Sequence, residues 1–252
     1  MRTSLDIKNL SKAYFKNNKP IEVLDNFSLK VSNGEFVSIV GPSGCGKTTL
    51  INCIAGFIKP TSGQIICKKN VGVVFQEKLG VIFQDRVLYD WLNVKENIGF
   101  GLKLKKKEDD EKIRRIISEM DLKGFESHYP SELSMGMQQR VALGRAFSVN
   151  PGILLMDEPF AAVDYLTKLK LQRLLLNVWE KRKPTVLYVT HDIDEAIFLG
   201  QRLLVLGNRP SKIVSEIEID LSRPRTEKTL TQSKFTKIKQ KVLHLMHKNN
   251  AD

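Results

Sequence analysis

Four short segments of the chain are almost continuously apolar: FVSIV from Phe36, ILLM from Ile153, TVLYV from Thr185 and RLLVL from Arg202. Runs of that length predict strands covered on both faces, as in parallel sheets. Between them apolar residues recur at helical spacing, over Lys47–Phe57, Asp110–Met120, Ser134–Ser148, Tyr165–Arg182 and Asp192–Leu199. Buried strands alternating with helices predict an α/β fold with a doubly wound sheet. Two regions break the alternation. From about Trp91 to Asn150 no buried strand is evident, which predicts a helical subdomain inserted into the α/β core. Ahead of Lys47, the segments SLDIKNL, IEVLDNFSLKV and EFVSIV are strand-like and separated by turn residues such as Asn33-Gly34, which predicts an antiparallel β layer. After Leu221 the chain turns basic, and a helix is predicted over Lys234–His247 with Ile238, Val242, Leu243 and Leu245 on one stripe. One domain over residues 1–221, carrying the helical insert at about 91–150, and a basic tail over 222–252 are therefore expected.

Composition narrows the class. A chain of 252 residues, 42% hydrophobic and 27% charged, has enough apolar surface for a packed core and no room for tandem modules. The formal charge of +12 is partly concentrated in the KLKKK run from Lys103 to Lys107 and in the tail. Such charge draws polyanions and anionic membrane surfaces, but no aromatic residues alternate with the lysines as a base-stacking platform would require, so no nucleic-acid partner is expected. Three cysteines, Cys45, Cys53 and Cys67, form neither an even set nor a metal-ligand spacing, which suits a reducing compartment. The segment MRTSLDIKNL lacks the apolar core of a signal peptide, and no run reaches the roughly 20 apolar residues of a membrane span. A cytoplasmic protein able to dock on an embedded partner is expected.

The chemistry starts at GPSGCGKTT, residues 41–49, between a predicted strand and a predicted helix. That setting is the one a phosphate-binding loop requires. Glycines let the backbone amides of Gly41, Ser43, Gly44, Cys45 and Gly46 curl around phosphate oxygens, and the helix start adds positive potential. Lys47 supplies a charge, and Thr48, followed by Thr49, supplies a hydroxyl for Mg²⁺. Farther on, the strand ILLMDE ends in adjacent carboxylates whose side chains alternate in direction: Asp157 for the Mg²⁺ shell and Glu158 for a water.

Several motifs in fixed order then carry a resemblance: GPSGCGKTT, FQD before WLNVKENI, LSMGMQQR at Leu133, LLMDEP at Leu154, FAAVD at Phe160 and THD at Thr190. From about Ser4 to Ile219 the chain resembles the ATP-binding subunit of ABC transporters. The resemblance implies a RecA-like P-loop NTPase core that hydrolyses ATP with Mg²⁺ on the cytoplasmic face of a membrane, bound peripherally to permease subunits. It implies that Glu158 polarises the attacking water, that His191 contacts the γ-phosphate, that Gln84 stands in the metal shell, and that an aromatic stacks on adenine, Tyr14 being the choice and its neighbour Phe15 the alternative. Two copies are expected to pair head to tail, so that Ser134 and Gly136 of one close over the nucleotide of the other, with Asp164 beside them. The wording GCGKTT, WLNVKENI, GMQQR and THDIDEAIFL looks most like the nitrate, sulfonate and taurine importer branch, which is served by an extracytoplasmic solute-binding protein.

The sequence also departs from the family pattern. Met135 takes the first of two glycine positions in the signature, Ala161 and Val163 stand where Gly and Leu are frequent, and Asp90 replaces a proline before Trp91. A side chain at Met135 adds bulk against the opposite subunit's nucleotide, which leaves open a slow-hydrolysing regulatory subunit. Cys45, beside Lys47 at a helix start, is compatible with a redox switch or with a small loop residue. A soluble ATPase of the same family acting on nucleic acid or ribosomes is a further reading; the sequence lacks both the long coiled coil and the second cassette of such proteins.

One stretch poses its own question. VGVVFQEK is followed directly by LGVIFQDR, one octapeptide written twice over residues 71–86, so two glutamines, Gln76 and Gln84, compete for one role. Gln84 directly precedes the DRVLYDWLNV segment and stands 84 − 47 = 37 residues after Lys47, a separation that suits the family. Gln84 is the expected site residue and Gln76 a structural one.

Overall fold

A computed structural model describes residues 3–67, 70–71, 79–84 and 88–251. The chain divides into two compact units: residues 1–76, 155–157 and 185–252 form the first, and residues 77–154 and 158–184 the second.

The first unit opens with a long hairpin. Strands β1 (Thr3–Lys16) and β2 (Lys19–Ser32) pair antiparallel, joined at Asn17-Asn18, both left-handed with φ of 51° and 58°. Two consecutive left-handed residues match the right-handed twist of the strands, and asparagine tolerates them better than most residues. The hairpin is irregular at Asn9 and Asn26, each with φ of 48°, and serine hydroxyls take up backbone donors there: Asn9 N donates to Ser28 Oγ at 2.9 Å and Asn26 N to Ser11 Oγ at 3.0 Å. With β4 (Ser62–Cys67) and β5 (Asn70–Val71) the layer runs in the order β2-β1-β4-β5. Gly63 allows β4 to cross β1 closely, since a Cβ there would sit 2.3 Å from the Asn9 carbonyl oxygen.

Strands β3 (Phe36–Val40), β7 (Ile153–Asp157), β8 (Thr185–Val189), β9 (Arg202–Leu206) and β10 (Ile213–Glu218) form a second sheet in the order β10-β9-β3-β8-β7. β3 lies parallel to both β8 and β9, with Val37 opposite Leu187 on one side and Arg202 on the other, and β10 returns antiparallel to β9. Every residue of β3, β7 and β8 is buried, the physical reason their sequences are apolar without alternation. The unit also holds α1 (Lys47–Ala55), α6 (Ile193–Leu199), α7 (Glu227–Leu230) and α8 (Ser233–Ala251). α6 packs on β3, and α8 packs on α6 and β9. Thus the basic tail belongs to the first unit. In α8 the described residues that are buried are Phe235 and Val242, whereas Leu243 is 37% exposed. The stripe is therefore Phe235, Ile238, Val242 and Leu245, at steps of three and four, and the expected place of Leu243 on it is corrected. Arg225, 4% exposed, donates to the carbonyls of Ile197, Phe198 and Gly200 at 3.0, 2.9 and 2.7 Å, satisfying acceptors at the end of α6. All three cysteines are free and buried, and burial pushes the Cys67 thiol up to about 11.

The second unit holds β6 (Leu79–Ile82), α2 (Val94–Leu104), α3 (Asp110–Glu119), α4 (Met135–Ser148), α5 (Tyr165–Arg182) and the opening residues of β7. No strand occurs among the described residues between 91 and 150. α4 contacts α2, α3 and α5. Small residues bring the helices close: a Cβ at Gly99 would meet Ile113 Cδ1 at 2.8 Å, and one at Gly144 would meet Ile98 and Ile116 at 3.2 Å. Local sequence sets the starts of the helices. Asn93 and Glu96 form a reciprocal capping box at α2, with both bonds 2.9 Å, and Asp109 accepts from Lys112 N at 2.8 Å to begin α3. Arg182 pairs with Glu119 at 2.6 Å, tying α5 to α3. No helix among the described residues is long and apolar enough to cross a membrane.

Candidate active site

The candidate phosphate loop, residues 41–49, lies in the first unit, between the fully buried strand β3 and helix α1. Gly44 and Gly46 have φ of 73° and 118°, where a side chain would be strained. At Gly46 space is restrictive as well, because an added Cβ would lie 2.8 Å from Val23 Cγ1. Cys45 N donates back to Pro42 O at 3.3 Å, and Leu50 N to Gly46 O at 2.9 Å starts the helix ladder. The Lys47 side chain folds over its own loop: Nζ donates to Gly41 O and Pro42 O, both at 2.9 Å, and the residue is only 6% exposed. Ser43, Gly44 and Thr48 face solvent, and Thr49 is half-buried. Cys45, 2% exposed, puts Sγ 3.0 Å from where a Cβ on Gly41 would stand, so its side chain packs under the loop. A glycine-rich loop at a helix start with a lysine held close can bind a polyphosphate.

Asp157 closes β7 at 4% exposure. Its chain neighbour Glu158, which belongs to the second unit, is half-buried and has φ of 47° although Pro159 follows. A left-handed glutamate before a proline is a sparsely populated conformation worth about 1–3 kcal/mol of strain. Such strain persists where surrounding structure enforces it, and here it re-aims a carboxylate at the end of a buried strand. In the first unit His191 is exposed between Thr190 and Asp192. Buried Thr190 donates its hydroxyl to Glu195 at 2.6 Å and accepts from Asp192 N at 3.0 Å, while Asp192 caps α6 by accepting from Glu195 N at 3.1 Å. The backbone on either side of His191 is thereby held. Tyr14, 39% exposed on β1, has the Lys12 ammonium 5.0 Å from its ring centroid, and neighbouring Phe15 is 74% exposed.

In the second unit Ser134 caps α4 by accepting from Met137 N at 3.4 Å. Met135 follows at 48% exposure, and Gly136 is buried. Asp164 caps α5, accepting from Thr167 N at 3.1 Å. Hydrogen bonds from the Thr167 side chain and backbone hold the Asp164 carboxyl below the usual aspartate range. Its folded pKa being depressed, the cap is present above the ordinary aspartate pKa and is lost as pH falls through the lowered value. Thr167 also faces the signature helix, its Cγ2 lying 2.5 Å from where a Cβ on Gly136 would be. Gln84 is exposed just past the end of β6. Gln76 lies outside the described residues.

The structure adds three residues that the motifs do not single out. Asn97, fully buried, accepts from Tyr89 N at 3.0 Å and donates to the carbonyls of Tyr89, Leu92 and Asn93 at 3.1, 2.8 and 3.1 Å, so one amide holds the turn at residues 89–93. Thr167 joins Gly136 and Asp164. Arg209 donates from Nε to Gly44 O at 3.2 Å. Asn97 has a local signal, the helix start N-V-K-E four residues earlier, and Thr167 bonds locally to the cap Asp164; the Thr167–Gly136 and Arg209–Gly44 contacts are long-range.

Residues 24–161 match the ABC transporter family model. The chain is 42% identical over 240 residues to the aliphatic sulfonates import ATP-binding protein of Bacillus cereus, covering 95% of this chain and 94% of that protein. It is 43% identical over an alignment of 257 residues to an uncharacterized ABC transporter ATP-binding protein of Methanocaldococcus jannaschii, covering 98% and 92%. Among solved structures, a dimeric ATP-binding cassette in a post-hydrolysis state bound to ADP and phosphate aligns with a TM-score of 0.76 at 32% identity, over 86% of this chain and all of that one. With its phosphate loop, acid-tipped buried strand and capped signature helix, the chain belongs to the ABC transporter family, as one of its ATP-hydrolysing subunits.

Proposed function

We propose that this chain powers an importer for a small solute of the sulfonate, taurine or nitrate type, docking peripherally from the cytoplasmic side on permease subunits that a solute-binding protein supplies. The observation that carries the reading is the near full-length match to aliphatic sulfonates import ATP-binding proteins. ATP binds with its phosphates in the loop of residues 41–49. Lys47 exchanges its two loop carbonyls for phosphate oxygens, and Tyr14 or Phe15 stacks on the adenine. Thr48, Gln84 and Asp157 offer hydroxyl, amide and carboxylate oxygens, the hard donor set that suits Mg²⁺. When bound, that ion offsets negative charge on the phosphates. Glu158 orients and deprotonates the attacking water, and His191 contacts the γ-phosphate from the end of β8.

A second copy completes the site with the amides at the start of α4, Ser134 and Gly136, and with Asp164. ATP closes the pair and hydrolysis opens it, so the cycle couples chemistry to the permease. The test is solute uptake by cells that carry or lack this chain, using labelled sulfonate, taurine and nitrate, together with Glu158→Gln. Sulfonate uptake that needs the chain and vanishes in the variant, while the variant still binds ATP, supports the reading. Uptake independent of the chain for all three solutes, or co-purification with ribosomes or DNA in place of a permease, overturns it.

A further inference from the structure

The loop that joins β9 to β10 carries a second cation to the phosphate loop. Gly207 N donates to Lys212 O at 3.0 Å, closing a tight turn whose tip holds Asn208, Arg209 and Pro210. Two contacts pin this turn to β2. Ser211 N donates to Val23 O at 2.8 Å, and Lys212 pairs with Asp25 at 2.8 Å. Val23 is the residue whose Cγ1 restricts Gly46 to a bare hydrogen. From that anchored turn Arg209 reaches Gly44, donating from both Nε and Nη2 to the same carbonyl oxygen, with the Nε bond 3.2 Å long. Gly44 is left-handed and exposed, and a Cβ there would meet only Arg209 Nη2, at 3.6 Å.

We propose that Arg209 is a positioning residue for the nucleotide, a clamp that holds the Gly44–Cys45 peptide in one orientation before the phosphates arrive. The inference rests on the reading of residues 41–49 as the phosphate site. A glycine peptide rotates easily, and a rotation that turned its carbonyl toward the phosphates would replace attraction by repulsion. Lys47 already occupies the carbonyls of Gly41 and Pro42, so the two cations between them engage three carbonyls of the loop. Fixing the loop beforehand removes part of the ordering cost of binding. A guanidinium suits the task because its N–H groups are arranged in a rigid fork, whereas an ammonium supplies a point charge.

ATP titration of the full chain separates the possibilities, with Arg209→Ala, Arg209→Lys and Lys47→Ala measured at low and high salt. The expected result is binding weakened about three- to tenfold in Arg209→Ala, the size of the net contribution of a typical hydrogen bond. Arg209→Lys falls between wild type and alanine, the deficits persist at high salt, and the melting temperature without nucleotide does not move. Wild-type affinity in Arg209→Ala overturns the clamp. So does full recovery in Arg209→Lys with a deficit of Arg209→Ala that disappears in salt, because long-range attraction alone then accounts for it. Lys47→Ala isolates the underlying reading: if it binds ATP like wild type, the phosphate site itself is misplaced, whereas loss there with an unaffected Arg209→Ala removes only the clamp.

Discussion

Gly136 and Thr167 approach so closely that the signature helix has no space for a methyl group: a Cβ on Gly136 would stand 2.5 Å from Thr167 Cγ2. The same threonine donates its backbone N–H to Asp164 at 3.1 Å. One β-branched residue on α5 therefore touches both segments that are proposed to act on the opposite subunit's nucleotide. Gly136→Ala is expected to cost about 1–3 kcal/mol through overpacking. Adding Thr167→Ser, which deletes the colliding methyl and keeps the hydroxyl, should recover most of that loss in urea denaturation. Additive effects in the double-mutant cycle, within about 0.5 kcal/mol, would place the strain elsewhere.

Met135 precedes that glycine at 48% exposure, at the first position of α4. The helix amides near it are the groups proposed to meet the γ-phosphate of the partner copy, and the thioether adds bulk there. Met135→Gly should raise the steady-state ATPase rate of the assembled transporter. Equal rates for the two proteins, measured with permease present, would show that the side chain is accommodated without cost.

The doubled octapeptide yields a comparison between its two glutamines. Gln84 is exposed directly after β6, and Gln76 falls outside the described residues. Because the repeat is eight residues long, an even number, sliding one copy into the other's place would leave the same side chains facing the core, so facing alone does not select the register. Distances along the chain do. Gln84→Ala is expected to reduce turnover roughly ten- to a hundredfold, as loss of a metal-shell residue does, with Gln76→Ala close to wild type. Similar losses in both would mean that Gln84 is the wrong copy or that both copies are used.

Asn97 makes four hydrogen bonds to the turn at residues 89–93 from a fully buried position. Asn97→Ala should destabilise the chain by about 2–4 kcal/mol, since a donor and three carbonyls lose their partner together. Asn97→Asp keeps the acceptor and loses the amide donors, so it should fare no better. Chemical denaturation of the three proteins checks both statements; a stable aspartate variant would mean that solvent satisfies those carbonyls.

Much of the candidate site could be read from residue order because its parts are local devices. A phosphate loop needs glycines and a lysine at fixed short separations, and an acid-tipped strand announces itself by four apolar residues before Asp157 and Glu158. The helix starts were equally legible at Ser134 and Asp192, where a side chain caps its own backbone. The Asn17-Asn18 turn was not read from the sequence, since the pair lacks the glycine that marks such turns most strongly. Other features stayed hidden because they join distant residues. Arg209 and Gly44 are 165 positions apart, and nothing in either neighbourhood names the other.

By itself the sequence determined the alternation of buried strands and helices, the family motifs and the candidate phosphate loop, because hydrophobic periodicity and loop chemistry act over a few residues. Tertiary structure alone decided the placement of β3 between β8 and β9, the rotation of α8 that buries Phe235 and leaves Leu243 in solvent, and the contacts made by Thr167 and Arg209. Strand neighbours, helix rotation and long-range hydrogen bonds are selected by packing among segments remote in the chain, which no local pattern encodes.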